Sequence, residues 1–466
     1  MLQHARRQAV NALLYPAVPE ATGDEYHVQA GARLRARFEH DAGNTDVGGG
    51  VGYHAAILPS RLRRRGHAER GPMNILHVVN LSGAGGMEHL FAAYLDAAGA
   101  DNARLHVASK SRVHQAFQGV IARHSRRVHF LKRAAGVPLP RAAALRDWNV
   151  RRILRRTAAD RVVFWSTLPS PAWEEACRRA GTSMVYYDHG KAWREPPEQA
   201  RAALQGVDFC VTVSRGGQRI LKDRVAYPGP VRVVPNGVRL PDVPVTGRRR
   251  HLSDGCLRVG FAGRMVRKKG LAVLLEAMAL LRKGGVSCAL ELAGEGPGLS
   301  SYRRQAAALG LEQITRFHGN VRDMAGFYRQ LDVLVVPSLT EPFGLVSIEA
   351  AACGTPPVVA AVDGLADTVC DGQSGALLDM DGDLADCPPL VEHPEPLPEY
   401  VYDARRDCLR TPCPPAPAHI AEVLTGMVRD SERLAAMGEA ARELASQRFS
   451  LERYARTLTR HLEERT

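Results

Sequence analysis

Glu341 and Glu349 bracket the string P-F-G-L-V-S-I, eight residues apart. Placed close together, two such carboxylates suit a ligand rich in hydroxyls, because an acid aimed at a phosphate would repel it while a sugar-like hydroxyl donates a hydrogen bond to it. A lone glutamate in either place would merely favour a helix start or sit solvated on a helix. Two cations, Arg264 and Lys269, follow an apolar run, and His189 follows another. A histidine just past a strand end can meet a reacting group, although a single one is more often structural.

The elements that would position these side chains are legible around them. Val333 to Val336 is a continuous apolar run of the kind a strand buried on both faces shows. Pro337, Ser338 and Thr340-Glu341-Pro342 interrupt it, Phe343 to Cys353 reads as a helix with Gly344 in its first turn, and Val358 to Val362 returns as a strand. A helix that starts beside the carboxyl end of a strand in an open α/β sheet is a ligand and phosphate position. Other runs repeat the alternation: strands at Ile75–Val79, Arg161–Trp165, Ser183–Tyr187, Val207–Val213, Leu290–Leu292 and Ile314–Phe317, and a helix from Leu271 to Arg282. Glycine loops follow two of the strands, at Gly85-Gly86 before Met87-Glu88, and at Gly294-Glu295-Gly296-Pro297.

Taken together, E-P-F-G-L with a second Glu eight residues on and G-T-P beyond resembles the donor-site signature of retaining GT-B glycosyltransferases of family 4. G-R-M-V-R-K-K-G at 263–270, P-N-G-V at 235–238, T-V-S-R at 212–215 and F-S-L-E-R at 449–453 are similar to other landmarks of that family. The resemblance covers residues 73–466 and is strongest over 231–378. It implies an α/β fold of two doubly wound Rossmann-like domains facing a cleft, with a C-terminal helix crossing back. It further implies a retaining, metal-independent transfer of a sugar from a nucleotide-diphosphate donor, with no other cofactor. His189, Arg264, Lys269 and Glu341 would then be catalytic, the two cations stabilising charge on the leaving diphosphate. Gly85, Gly86, Gly294, Glu295, Phe343, Gly344, Leu345 and Glu349 would line the donor site, Glu349 at the ribose. Asp188 would orient the His189 ring or polarise an acceptor hydroxyl. One departure stands out: Asp363 and Asp367 occupy the first glycine and the acid of the family's G-G-x-x-E.

The expected division is an extension or upstream sequence at 1–72, an acceptor-side domain at 73–240, a linker at 241–256 and a donor domain at 257–440. Within the last, the Pro-rich stretch 384–418 reads as a loop insertion, and 441–466 as the returning helix. Nine cysteines without a C-x-x-C pair point to a reducing compartment, without disulfides or a zinc site. The run Asp379-Met380-Asp381-Gly382-Asp383 reads as a surface loop, because Leu384 and Leu390 stand where an EF-hand requires Gly and Glu. No run reaches the roughly 20 apolar residues of a membrane span, so the expected place is the cytoplasm, with peripheral contact at the inner face of the plasma membrane.

Charge is distributed unevenly. Residues 101–160 hold fourteen Lys or Arg against three Asp, a net +11, while the whole chain carries +13. An anionic membrane surface is the partner this favours; no nucleic-acid-binding module accompanies the charge. Leu145, Trp148, Ile153 and Leu154 do not share one helical face, which argues against an inserted amphipathic helix. The expected acceptor is a glycan or lipid-linked molecule of bacterial surface polysaccharide or lipopolysaccharide synthesis. The competing functions are a nucleotide-sugar epimerase or hydrolase of the same fold, and a non-catalytic sugar-nucleotide-binding module.

Overall fold

The computed structural model describes residues 73–464, apart from 84, 99–103, 126, 135, 241–251, 253–254 and 391–394. The expectations for residues 1–72 and for most of the linker lie outside the described residues.

Two all-parallel sheets organise the chain. In space, the first runs Val128–Phe130, Arg104–Ser109, Asn74–Val78, Arg161–Trp165, Ser183–Asp188, Phe209–Thr212, Val231–Val233. The second runs Thr315–Gly319, Cys288–Ala293, Leu257–Ala262, Val333–Val336, Pro357–Ala360, Ala376–Leu378. In each sheet the strand first in sequence lies inside, and the order reverses beside it, the doubly wound arrangement. Helices cover both faces, so the strands are apolar on both sides. Ile75 joins one core and its neighbour Leu76 another. Val333 and Val335 likewise part from Leu334 and Val336, as a period of two requires.

Helix Ser431–Phe449 ends at Ser450, whose hydroxyl caps the next helix, Leu451–Glu463, through the Arg453 N–H at 3.4 Å. The crossing back is therefore made by this last helix, not by a single helix from 441. It packs on the first lobe through Tyr454, Leu458 and Leu462, and Tyr94 Oη lies 3.3 Å from Thr459 Oγ1. Val238 of the P-N-G-V turn exchanges backbone hydrogen bonds with Phe449 (2.8 Å) and Leu451 (3.0 Å). Gly237 lacks a side chain because a Cβ there would meet Leu451 Cα at 2.9 Å. Phe343, Ile348 and Ala351 of the second lobe share a core with Tyr187, Phe449 and Leu458, so one apolar cluster spans both lobes.

The Pro-rich stretch is more structured than a loop insertion. It contains a hairpin, Val401–Asp403 with Cys408–Arg410, and the Tyr402 backbone bonds in both directions with Asp363. None of the nine cysteines forms a disulfide. Among the described residues no helix is long and apolar enough to cross a membrane.

Candidate functional site

At the point where strand order reverses in the second sheet, two loops leave adjacent strands, Gly263–Gly270 after Leu257–Ala262 and Pro337–Gly344 after Val333–Val336. That crevice is where doubly wound sheets bind ligands. The first loop makes a short helical turn, Arg267–Lys269, then a left-handed Gly270 at φ 71°. A Cβ on Gly270 would overlap the Pro337 carbonyl oxygen, so the glycine lets the two loops touch. The contact sets Lys269 beside Glu341, and their side chains form an ion pair. Gly344 is the residue before helix Leu345–Ala352, at φ 102°, rather than part of its first turn. Phe343 is buried against Phe449, ring centroids 5.9 Å apart, and anchors the helix start.

Across a cavity of about 980 Å³ these residues face the first lobe. Its wall there is Gly86, Met87 and Leu90 from the first helix, with His189, Gly190 and Trp193 after strand Ser183–Asp188. The His189 ring stacks on Trp165 at 5.5 Å and 16° and lies 4.1 Å from Tyr187. Both ring nitrogens are buried and neither reaches a partner in good hydrogen-bond geometry, although the Tyr187 backbone lies near enough to raise the pKa a little. Desolvation pulls the imidazole pKa down to about 3, so it is neutral, with one nitrogen to accept and one to donate. Asp188 does not orient it. Its carboxylate accepts from Tyr186 Oη (2.7 Å) and from the backbone N–H groups of Gly190 (3.3 Å), Lys191 (3.0 Å) and Ala192 (3.1 Å). Fully occupied in that way, it shapes the loop that carries His189.

Asp363 ties the walls together. Its Oδ1 accepts from Trp193 Nε1 (3.0 Å) and the Tyr402 N–H (2.8 Å), its Oδ2 from Thr340 Oγ1 (2.8 Å) and the Glu341 N–H (3.0 Å). Asp363 holds φ 47°, which suits the glycine it replaces and which Asp tolerates. Asp367 accepts from the Arg215 N–H at 2.7 Å, and Ser214 Oγ donates to the Pro342 carbonyl at 2.8 Å, so both lobes contribute. Burial raises both carboxyl pKa values to about 6.

The other expected residues divide. Gly86 and Leu345 line the main cavity and also an adjoining one of about 570 Å³, where Glu349 lies with Tyr328 and Met324. Glu349 accepts from Tyr328 Oη at 2.9 Å, and burial raises its pKa. Gly85 lines neither cavity; its N–H donates to Glu88 Oε2 at 3.1 Å, so Glu88 caps its own helix. Gly294, at φ 120°, lies against Gly263 so closely that a Cβ would overlap the Gly263 carbonyl oxygen. Exposed Glu295 accepts from Asn320 Nδ2 at 2.8 Å, on the same rim. Arg264 is exposed on that rim beside Gly263 and does not line the main cavity, unlike Lys269.

Arg194, Arg224, Lys268 and the segment Glu395–Glu399 complete the cavity wall. Lys268 donates to Glu395 at 2.5 Å. Only adjacency to Lys269 marks Lys268 in the sequence; Glu395 lies within the insertion and carries no local signal. Asp379, Asp381 and His419 bring ligand atoms within 4.8 Å of one another. Asp379 is already engaged by Arg405 Nε at 3.0 Å, and the Met380 carbonyl accepts from Arg410, so this stretch is part of a structural network rather than a plain surface loop.

The sequence profile for glycosyl transferases group 1 matches residues 248–386, and that for glycosyltransferase family 4 matches residues 84–241. A D-inositol 3-phosphate glycosyltransferase of Arthrobacter sp. (strain FB24) is 36% identical over 160 residues, 32% of this chain and 38% of that protein. One from Mycolicibacterium gilvum is 38% identical over 196 residues, 40% of this chain and 44% of that protein. The chain thus spans less than half the length of these curated relatives. Among solved structures, the Anabaena Alr3699/HepE protein in complex with UDP and glucose has a TM-score of 0.61 at 19% identity, covering 84% of this chain and 99% of that one. A glycosyltransferase from Rickettsia africae has 0.63 at 15%, covering 85% and 100%. These structural likenesses show the fold alone. With both lobes matched in order and the doubly wound pair of sheets in place, the chain belongs to glycosyltransferase family 4 and has the GT-B fold.

Proposed function

We propose that this protein is a retaining, metal-independent glycosyltransferase that moves a sugar from a nucleotide-diphosphate sugar to an acceptor hydroxyl. The observation that carries the reading is the Lys269–Glu341 ion pair at the switch point, opposite an unpartnered neutral His189 in one cavity. A donor diphosphate takes Lys269 together with the free N–H groups at the start of helix Leu345–Ala352, where the dipole favours an anion. Glu341 is thereby released to accept from hydroxyls of the sugar. Arg264 joins the diphosphate from the rim, while Glu349 holds the ribose and the Gly294-Glu295 turn the base. Charge growing on the leaving diphosphate meets Lys269 in a preorganised place. His189, neutral, hydrogen-bonds the sugar or the acceptor. The acceptor hydroxyl attacks from the face the diphosphate leaves, and a leaving phosphate oxygen takes its proton.

The first reading of the acceptor is a glycan or lipid-linked molecule of surface polysaccharide or lipopolysaccharide synthesis. A second, a phosphorylated polyol, is favoured by the cations Arg194, Arg224 and Lys268 in the same wall and by the names of the sequence relatives. The test is transfer from UDP-, GDP- and ADP-sugars to D-inositol 3-phosphate and to lipid-linked glycans, with the anomeric configuration of the product read by NMR. An inverted product contradicts retention. Free sugar released at full rate without any acceptor indicates a hydrolase, and binding without turnover indicates a binding module.

A further inference from the structure

We propose that Lys268 and Glu395 form an acceptor subsite for a phosphate ester that carries free hydroxyls. The phosphate takes Lys268 from Glu395, and the freed carboxylate accepts from a neighbouring hydroxyl. On the transferase reading above, on which this subsite rests, Glu395 is the residue that selects the acceptor. It lies outside the residues 248–386 that the second-lobe family profile matches.

Two adjacent lysines leave the loop Gly263–Gly270 in different company. Lys269 pairs with Glu341 of the neighbouring loop. Lys268 donates to Glu395 at 2.5 Å and lies near enough to Arg194 of the first lobe to feel its charge. Desolvation pulls the Lys268 pKa down, the hydrogen bond to Glu395 opposes the fall, and Arg194 and Lys269 add to it. An anion beside Lys268 therefore relieves a crowded set of cations. Arg224 belongs to the same wall, and its Nη1 donates to the Ala192 (2.8 Å) and Glu195 (2.9 Å) carbonyls, which fixes the guanidinium there. Arg194, Arg224 and Lys268 share the wall with Glu395 and exposed Glu399. A phosphate that displaces Glu395 meets three positive charges.

Glu395 is held in place by its surroundings. Leu397 packs against the second-lobe core, and Pro396 and Pro398 narrow the backbone conformations on either side of it. Earlier in the chain the Cys387 carbonyl accepts from Arg267 Nε at 2.7 Å, next to Lys268, and later Tyr402 bonds Asp363. One Glu395 oxygen serves Lys268, while the other, Oε2, is buried without a hydrogen-bond partner. Such an oxygen costs free energy that a donating hydroxyl recovers. Inorganic phosphate would take Lys268 and leave Glu395 with neither cation nor donor. A neutral polyol would give Glu395 a donor but bring no anion to Arg194 and Arg224. A ligand with both groups satisfies both sides.

The experiment is calorimetric titration into the full chain, saturated with whichever of UDP, GDP or ADP it binds. The ligands are D-inositol 3-phosphate, inositol, inorganic phosphate and a lipid-linked sugar phosphate in detergent. One of the two esters should bind at least about tenfold tighter than inositol and than inorganic phosphate, and which one tells a soluble acceptor from a lipid-borne one. Lys268→Met should weaken that ester at least about tenfold and leave nucleotide affinity within about threefold. Should that variant fail to fold, Arg194→Gln, at an exposed position, is expected to bind the ester about fivefold more weakly. Glu395→Gln keeps the side chain's size but accepts from a hydroxyl less strongly and no longer holds Lys268 as an ion pair. The preference for the ester over inorganic phosphate should therefore narrow at least about fivefold. Unchanged ester affinity in Lys268→Met, an unchanged preference in Glu395→Gln, or no binding of either ester overturns the subsite. Binding as expected without sugar transfer to the ester contradicts the transferase reading alone. Transfer with a KM for the ester that neither variant moves contradicts the subsite alone.

Discussion

The two strand–loop–helix corners that face each other across the cleft are built differently. On the second-lobe side, Gly270 lies against the Pro337 carbonyl and Gly294 against the Gly263 carbonyl, backbone on backbone, and Gly344 is tight against the Leu365 side chain, each at positive φ. On the first-lobe side, at the start of helix Gly86–Ala98, a Cβ on Gly86 would meet only Leu345 Cδ1 at 3.6 Å, and one on Gly83 nothing within 4 Å, whereas Gly190 after strand Ser183–Asp188, at φ 103°, is tight against the Pro342 side chain. The corner from Gly263 to Gly344 has one geometry available, while the start of helix Gly86–Ala98 has room. Under the proposed function, the second-lobe corner would hold the same diphosphate in every turnover and gain from rigidity, whereas a wall meeting a variable acceptor would not need it.

The largest expected effect that would sharpen this contrast is on catalysis. Lys269→Met and Glu341→Gln should each lower sugar transfer by about 10²–10³-fold, with the melting temperature held near wild type, in a radiolabelled-sugar assay. Next comes the packing itself. Gly294→Ala should cost about 3 kcal/mol or more in a urea titration, from strain at positive φ together with the displaced Gly263 carbonyl. Asp363→Asn should cost about 2–3 kcal/mol, because an amide offers one acceptor oxygen where the carboxylate serves four donors, leaving the Glu341 N–H facing an NH₂. A loss as large for Gly86→Ala, expected to stay within about 0.5 kcal/mol, would break the contrast.

Smaller effects come from pH. His77 is fully buried, its Nδ1 accepting from Trp165 Nε1 at 3.0 Å, and burial lowers its pKa to about 3. Only the unfolded state gains its proton as pH falls below about 6.5, so it removes stability on acidification. Asp363 and Asp367, raised to about 6, act in the opposite sense. The folded state takes their protons first, so their contribution is greatest below about 4 and is lost as pH rises through 6. Relative to wild type, His77→Gln should therefore gain about 2 kcal/mol between pH 7 and pH 5, measured by urea denaturation at both values.

The same contrast governs what was legible in the sequence. Strands Arg161–Trp165 and Val333–Val336 match their apolar runs because both faces are buried. The donor corner was readable because its constraints are local: a strand end, a glycine, a cation and an acid at fixed offsets. The helix after Gly344 starts two residues late relative to the pattern because Phe343 belongs to the anchor, not to the helix. What pattern could not give depends on contacts far apart in the chain. Trp193 meets Asp363 across 170 residues, and Lys268 meets Glu395 across 127. Nothing in the Pro-rich spacing marks Glu395–Glu399 as a cavity wall. Arg264 lies on the rim rather than in the wall of the main cavity, since a motif position fixes a residue's loop but not whether it lines the cavity.

Calorimetric titration of UDP-, GDP- and ADP-sugars into the wild-type protein and into Lys269→Met bears most directly on the donor corner. One of these donors should bind the wild-type protein and bind Lys269→Met at least about tenfold more weakly, a loss of about 1.4 kcal/mol, while both proteins unfold at the same urea concentration. Equal affinity of the two proteins for that donor, or no binding of any donor to the wild type, would contradict the assignment of Lys269, Glu341 and the Gly344 helix start as its grip.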